Sequence, residues 1–318
     1  MRFCQTPGRR RPMSLSPLAL GASLYAPATR PDLLAVASGQ RLPGVRSVIL
    51  CTEDSVREEH VEAALDTLAA TLRRLGPEGP LLFIRPRTLE VLARLLALPG
   101  IERVRGFVLP KATPSLVQAA VALLRPGSAH VLMPTLETAE VFDPQAMIAL
   151  RRLLSQPDLR PRILALRIGG NDLLNLLALR RRPGRTLYDT ALGPVVASLV
   201  TTFRPHGFAL TAPVFEDFGD VDTLRAEVRR DLEHGLIGKT AIHPAQVALI
   251  EREYRVTRSE VAMARRVLDE NALAVFQIER VMCEPATHTA WARQILAQEA
   301  LYGLVDMPMV EGSDPVLG

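Results

Sequence analysis

A (β/α)8 barrel followed by a C-terminal helical extension is the fold this sequence predicts, on three observations. Eight short apolar runs bounded by turn residues recur between residues 22 and 242, amphipathic segments separate them, and the strand pattern stops after residue 250. Eight β-then-α units in succession point to a parallel sheet closed on itself. An open doubly wound sheet usually has fewer strands and a Gly-rich phosphate turn after the first. Here the first run is followed by Ala26-Pro27-Ala28-Thr29-Arg30-Pro31.

The predicted strands are Ala22–Tyr25, Ser47–Cys51, Leu81–Ile84, Gly106–Leu109, His130–Met133, Ile163–Ile168, Gly207–Leu210 and Gly238–Ile242. The helices read between them include Glu58–Leu75, Leu89–Leu98, Ser115–Leu124, Asp143–Leu154, Pro194–Phe203 and Val221–His234, each with apolar residues near i, i+3, i+4 spacing. In the first of these, Val61, Leu65, Leu68, Leu72 and Leu75 form one stripe. Asp143 before Pro144 reads as an N-cap acid preceding a first-turn proline. Past the barrel, Ser259–Phe276 reads as a helix capped by Ser259, and Thr289–Leu301 as a second one after Cys283-Glu284-Pro285. The chain thus divides into a disordered basic tail (1–20), a (β/α)8 TIM barrel of the α/β class (21–252) and a C-terminal helical extension (253–318).

Composition excludes several classes. With 318 residues, 48% of them hydrophobic and 23% charged, the chain buries a large core and is not intrinsically disordered. Only 4% are aromatic, so that core is aliphatic. Three cysteines rule out a disulfide framework or a Cys-rich zinc module and fit a reducing cytoplasm. No uncharged apolar run reaches the length of a membrane span, so no membrane partner is expected. The net charge of +4 equals the four arginines of residues 1–12, where there is no acid, which leaves the rest at zero. A nucleic-acid partner is therefore not expected. Leu18–Leu24 behind that basic tail resembles a signal peptide, but Pro17 breaks the run and residues 22–25 are needed as a strand. The simpler reading is a disordered extension with Met13 as the true start.

Function is read from where polar residues fall, since chemistry in such barrels sits on the loops after the strands. Glu53 and Asp54 follow the second run, Arg85 ends the third, and Pro110 and Lys111 follow the fourth. Glu137 and Thr138 follow the fifth, Gly169-Gly170-Asn171-Asp172 the sixth, and Pro213, Phe215, Glu216 and Asp217 the seventh. Lys239 lies within the eighth run and His243 just past it. Singly, Asp54, Glu137 and Asp172 read as helix-opening acids, Arg85 as part of a solvated turn, and Lys239 and His243 as structural residues. Their arrival at one end of the barrel is what points to a site. Acids without a histidine pair or zinc spacing suit Mg2+. The run Arg180-Arg181-Arg182-Pro183-Gly184-Arg185 reads as a solvated turn, with a grip on a phosphate or carboxylate as its functional alternative.

The segment Gly238-Lys239-Thr240-Ala241-Ile242-His243-Pro244-Ala245-Gln246-Val247 resembles the "GK…IHP.Q" signature of citrate lyase β-subunit-like proteins in the HpcH/HpaI aldolase superfamily. The resemblance runs from about Ser23 to Leu301. Cys51-Thr52-Glu53-Asp54 falls on the "DLED" segment and Phe83-Ile84-Arg85 on the strand ending in the substrate arginine. Leu109-Pro110-Lys111 matches "PK", Leu136-Glu137-Thr138 the "ET" metal ligand, and Asn171-Asp172-Leu173 the "DL" metal ligand. The Gly169–Asp172 and Arg180–Arg185 segments resemble a divergent lyase branch of bacterial tellurite-resistance and stress-response clusters.

The resemblance implies a Mg2+-dependent carbon–carbon lyase acting on a small oxo- or hydroxy-acid, or its coenzyme A thioester, through a metal-stabilised enolate. It implies Glu137 and Asp172 as metal ligands, Arg85, Glu53 and Asp54 as catalytic residues, and Arg85, Lys111 and Pro213 as substrate-binding residues. It further implies that the extension packs on an adjacent subunit in a homo-oligomer, a trimer or a multiple of it, with Val261, Ala264, Val267, Leu268, Ile295, Leu296 and Leu301 otherwise exposed; the alternative is that the extension folds back onto its own barrel and buries the same stripes in a monomer. Two departures bear on this. Cys51 replaces the first Asp of "DLED", and Met282-Cys283-Glu284-Pro285 lacks the Asp of "M.D.P", an element tied to thioester use. The alternative reading is a non-catalytic barrel serving in binding or assembly, which Cys51 favours and the retained Arg85, Glu137 and Asp172 oppose.

Overall fold

The computed structural model describes residues 15–305. The expectations for residues 1–14, Met13 as start included, lie outside the described residues. Eight parallel strands, β1 (Ala22–Pro27), β2 (Ser47–Cys51), β3 (Leu81–Arg85), β4 (Gly106–Leu109), β5 (Val131–Leu136), β6 (Leu166–Ile168), β7 (Leu210–Thr211) and β8 (Lys239–Ala241), form one sheet in the order β7-β6-β5-β4-β3-β2-β1-β8. A parallel bridge between Ala212 and Lys239 joins β7 to β8 and closes the barrel. Around it lie α1 (Leu33–Ala37), α2 (Val61–Arg74), α3 (Leu89–Leu96), α4 (Pro114–Leu123), α5 (Pro144–Leu154), α6 (Gly170–Leu176), α7 (Leu192–Phe203), α8 (Val221–Glu233) and α9 (Pro244–Glu253).

Strand alternation sorts two cores. Val48, Leu50, Leu82, Ile84, Phe107, Leu132, Leu166 and Leu210 face the helices. Ile49, Phe83, Val108, Met133, Ala165 and Ala209 fill the interior with Leu20, as a packed barrel requires. Leu20 ends a 3-10 turn, Pro17–Leu20, and is fully buried. The expected disordered tail therefore gives way to packed chain by Pro17, because an apolar side chain is needed to stop the lower end of the barrel.

Helix starts follow their caps. Asp143 Oδ1 accepts the Gln145 N–H at 2.8 Å with Pro144 in the first turn, as the sequence predicts. In α9 the signature residues make a capping box. His243 Nδ1 accepts the Ala245 N–H at 3.2 Å, and Gln246 Oε1 accepts those of Ile242 and His243 at 2.9 and 3.2 Å. Gln246 Nε2 also donates to Phe215 O at 2.7 Å, tying α9 to the loop after β7. The "IHP.Q" pattern thus joins two loops of the barrel mouth.

The extension holds α10 (Arg258–Val267), a hairpin of β9 (Phe276–Ile278) and β10 (Val281–Cys283), and α11 (Pro285–Tyr302). Three expectations are corrected. Thr257, not Ser259, caps α10, in a capping box with Glu260. The helix expected to reach Phe276 ends at Val267, since Phe276 pairs with Cys283 in a hairpin turned by Glu279 and Arg280 at φ 47° and 68°. And α11 starts at Pro285, where a proline fits the first turn.

The apolar stripes are spent within the extension. Val261, Ala264, Val267, Cys283, Ala292 and Ile295 form its own core, with Leu268 and Leu296 packed against it, and Leu301 packs on the barrel core. The end of α11 docks on the foot of its own barrel. Tyr302 Oη donates to Leu18 O, and Arg46 donates to Leu301 O, pairs with Glu251 at 3.2 Å and lies over the Tyr302 ring. The stripes are therefore not the exposed surface expected. Among the described residues, no helix is long and apolar enough to cross a membrane.

Candidate active site

Strand register brings the predicted residues together. Cys51 and Arg85 are partners on β2 and β3, and the inward alternation places Glu53 and Glu137 above them at the mouth. Arg85 Nη2 lies 2.6 Å from Glu53 Oε2, 3.1 Å from Asp54 Oδ2 and 3.5 Å from Glu137 Oε1. Lys111 Nζ lies 3.1 Å from Glu53 Oε1 and 3.7 Å from Asp54 Oδ1. Lys111 adopts φ 47°, which turns its backbone N–H to donate to Glu137 Oε1 at 2.7 Å. Such left-handed geometry at a non-glycine residue is strained and tends to mark functional loops.

The loops that carry these groups are locked from behind. Arg87 donates to Glu53 O at 3.0 Å and to Val56 O, so the expected solvated turn after Arg85 instead clamps the β2 loop. Cys51, buried in the barrel, accepts the Glu53 N–H at 3.4 Å. Gly169 allows Glu137 its position, since a Cβ there would stand 2.2 Å from Glu137 Oε2. Asp172 lies in the first turn of α6, half-buried, and its charge acts on both Glu137 and Lys111. Pro213 is buried against Gly170, where a Cβ would come within 2.8 Å of the proline ring. It therefore seats the turn that presents Asp172.

Electrostatics follow from burial. The Glu137 carboxyl is pushed up to about 7, chiefly by burial and further by Asp172 and Glu53, against the pull of Arg85 and the Lys111 N–H. Burial also raises Glu53. Burial alone would raise Asp54, but its hydrogen bond with Glu53 and the charges of Arg85 and Lys111 hold it below the usual range. The Arg85 guanidinium, which burial would weaken, is held charged by Glu137 and Glu53. Buried Glu137 and half-buried Asp172 offer oxygen donors alone, and no described residue pairs with Asp172. Both fit a hard divalent cation, which would offset the buried charge of Glu137 and its repulsion from Asp172.

Two groups fall elsewhere. Lys239 points out of the barrel into a sealed cluster, 2.9 Å from Glu227 Oε1 and 2.8 Å from Asp231 Oδ2, where Tyr188 Oη also donates to Asp231 at 2.7 Å. The lysine at the mouth is Lys111. In the basic run, Arg181 is buried, paired with Glu216 and Glu227 and laid over Phe215, while Arg180, Arg182 and Arg185 are exposed. A cleft of about 670 Å3 lies between this run and the Phe215–Asp220 loop, apart from the carboxylate cluster. None of Glu53, Asp54, Arg85, Lys111, Glu137, Asp172 or Pro213 lines that cleft. Arg167 inside the barrel was not singled out by the sequence. Its signal was a charge at an inward position of an apolar run.

A family model described as C–C bond lyase of the TIM-barrel fold matches residues 14–304. A (3S)-malyl-CoA thioesterase of Cereibacter sphaeroides is 27% identical over 284 residues, 86% of this chain and 93% of that protein. An L-malyl-CoA/beta-methylmalyl-CoA lyase of the same organism is 40% identical over 72 residues, 23% of each chain. The crystal structure of CitE from Mycobacterium tuberculosis in complex with magnesium, acetoacetate and coenzyme A superposes with a TM-score of 0.65 at 25% identity, covering 89% of this chain and 99% of that one. Matched across nearly all of its described length, the chain belongs to the carbon–carbon bond lyases of the TIM-barrel fold.

Proposed function

We propose that the protein is a Mg2+-dependent lyase that makes or breaks a carbon–carbon bond next to a carbonyl, on a small oxo- or hydroxy-acid or its coenzyme A thioester. The observation that carries this reading is Arg85, held within 3.5 Å of both Glu53 and Glu137 at the barrel mouth. Glu137 and Asp172 would hold the ion. Bound there, Mg2+ supplies positive charge beside the oxygen on which an enolate's charge develops.

The chain's own residues do the rest. Arg85 grips carboxylate and carbonyl oxygens through its planar fork, which is fixed by packing and stays charged. Glu53, with Asp54 beside it, orients a substrate hydroxyl and takes or returns its proton, a role suited to a carboxyl raised by burial. Lys111 neutralises that pair and lends a second cation to the substrate. Pro213 holds the α6 turn against the substrate's edge. We place the protein in the cytoplasm, where Cys51 and Cys283, both free and buried, persist as thiols.

We also propose a homo-oligomer, trimeric or a multiple of three. It rests on the exposed apolar residues of the extension, Leu273, Val275, Val281 and Met282, which a closed barrel does not need. Light scattering on the full chain and on a Val281→Glu/Met282→Glu variant tests it, and a monomeric full-length protein contradicts it.

The reaction is tested by proton exchange. The protein is incubated in D2O with Mg2+ and either pyruvate or acetyl-CoA, and loss of the proton signal next to the carbonyl is followed by NMR. Exchange that stops on adding EDTA and in Glu137→Gln supports the proposal. Exchange that persists in both, or none on either compound despite Mg2+ binding, contradicts it.

A further inference from the structure

One layer beneath the carboxylate cluster, the barrel interior holds a second arginine that the proposed reaction does not yet use. Arg167 is 2% exposed and is the largest of the fully buried side chains. Its Nη2 donates to Thr240 Oγ1 at 2.6 Å and its guanidinium lies 5.5 Å from the centre of the Tyr25 ring. Its Nη1 has no hydrogen-bond partner. Its register neighbours on either side are Thr135 and Thr211, and the buried hydroxyls of both are also without partners. Three unmatched polar atoms from three adjacent strands thus share one level of the barrel.

The other buried cations show what a structural role looks like here. Arg181 is paired with Glu216 and Glu227, and Lys239 with Glu227 and Asp231. Among the described residues Arg167 has no carboxylate partner. An unpaired guanidinium away from water is costly, and so is each buried hydroxyl left without a partner. A ligand oxyanion answers both, since a guanidinium and two hydroxyls form a ready donor set for it. Thr135 lies two residues before Glu137, which follows the end of β5, and this sets the Arg167 layer about 7 Å below the level of Glu137. A four-carbon diacid spans that distance.

We propose that Arg167, with Thr135 and Thr211, binds a second carboxylate of the substrate, so that the site selects a diacid over the matching monoacid. This rests on the reading of Glu137, Asp172 and Arg85 as the site of the first carboxylate.

The test is calorimetric titration with L-lactate and L-malate, two hydroxy-acids that differ by one carboxylate, at saturating Mg2+. The wild type is expected to bind malate about tenfold or more tighter than lactate. Arg167→Met is expected to lose that preference, its malate affinity falling about tenfold further than its lactate affinity, with Arg167→Lys between the two. A wild type that binds lactate and malate alike overturns the inference, whatever the variants do, and leaves the first-carboxylate reading standing. So does a folded Arg167→Met that keeps the malate preference. Failure of both acids to bind with Mg2+ overturns the first-carboxylate reading and this inference with it.

Discussion

Gly169 and Glu137 lie so close that a methyl group on the glycine would stand 2.2 Å from Glu137 Oε2 and 2.4 Å from its Cβ. The glycine's φ is an ordinary negative one, so the residue is there for space. Gly169→Ala is expected to fold, to lose about 1–3 kcal/mol in urea unfolding through overpacking, and to displace the Glu137 carboxylate. Mg2+ binding should then weaken by about tenfold or more. A variant that binds Mg2+ like the wild type contradicts the placing of Glu137.

Arg85→Lys keeps the charge and removes the planar guanidinium whose Nη2 reaches Glu53, Asp54 and Glu137 together. If Arg85 stabilises charge that develops during the reaction, kcat should fall by about a hundredfold, with KM changing far less. Steady-state kinetics decide it, and equal activity in the lysine variant contradicts the role.

The cluster around Lys239 makes a separate prediction about stability. Lys239→Met leaves Asp231 buried without a cation and Glu227 with Arg181 alone, 3.4 Å away, and should cost about 3–5 kcal/mol at neutral pH. The sign of the pH dependence follows from the shift. Burial would lower the Lys239 ammonium, but Asp231 and Glu227 raise it above 10.5. Its contribution is therefore complete below that pH and is lost as pH rises through the higher folded value. Urea midpoints of the wild type should hold level from pH 8 to about 10.5 and fall above it, a fall that Lys239→Met lacks.

Much of this was legible in the sequence because period-2 and period-3.6 patterns write themselves in apolar residues. Ser47–Cys51 and Gly106–Leu109 form as read, and Asp143-Pro144 starts its helix. The hairpin at 276–283 was not legible, since its turn uses Glu279 and Arg280 at positive φ with no Asn-Gly or Gly to announce it. The convergence of Glu53, Asp54, Arg85, Lys111 and Glu137 was legible because strand ends share one rim. The inward or outward sense of Lys239 was not, because on a strand buried on both faces a charge is unexpected on either side. Arg167 was overlooked for the same reason.

The signature on α9 carries a further expectation. Gln246 caps the helix and bonds Phe215 O, so Gln246→Ala should cost about 1–3 kcal/mol by orphaning buried groups. Thermal melts should show that loss while Mg2+ affinity changes little. Abolished Mg2+ binding in a folded variant would place the signature in the chemistry.

The central claim is that Glu137 and Asp172 bind one divalent ion beside Arg85. Isothermal titration of Mg2+ into the wild type, Glu137→Gln and Asp172→Asn in the presence of pyruvate tests it most directly. The account predicts one ion per wild-type chain and a loss of about a hundredfold or more in each variant, both variants keeping the wild-type circular dichroism. Wild-type affinity in either folded variant would contradict it.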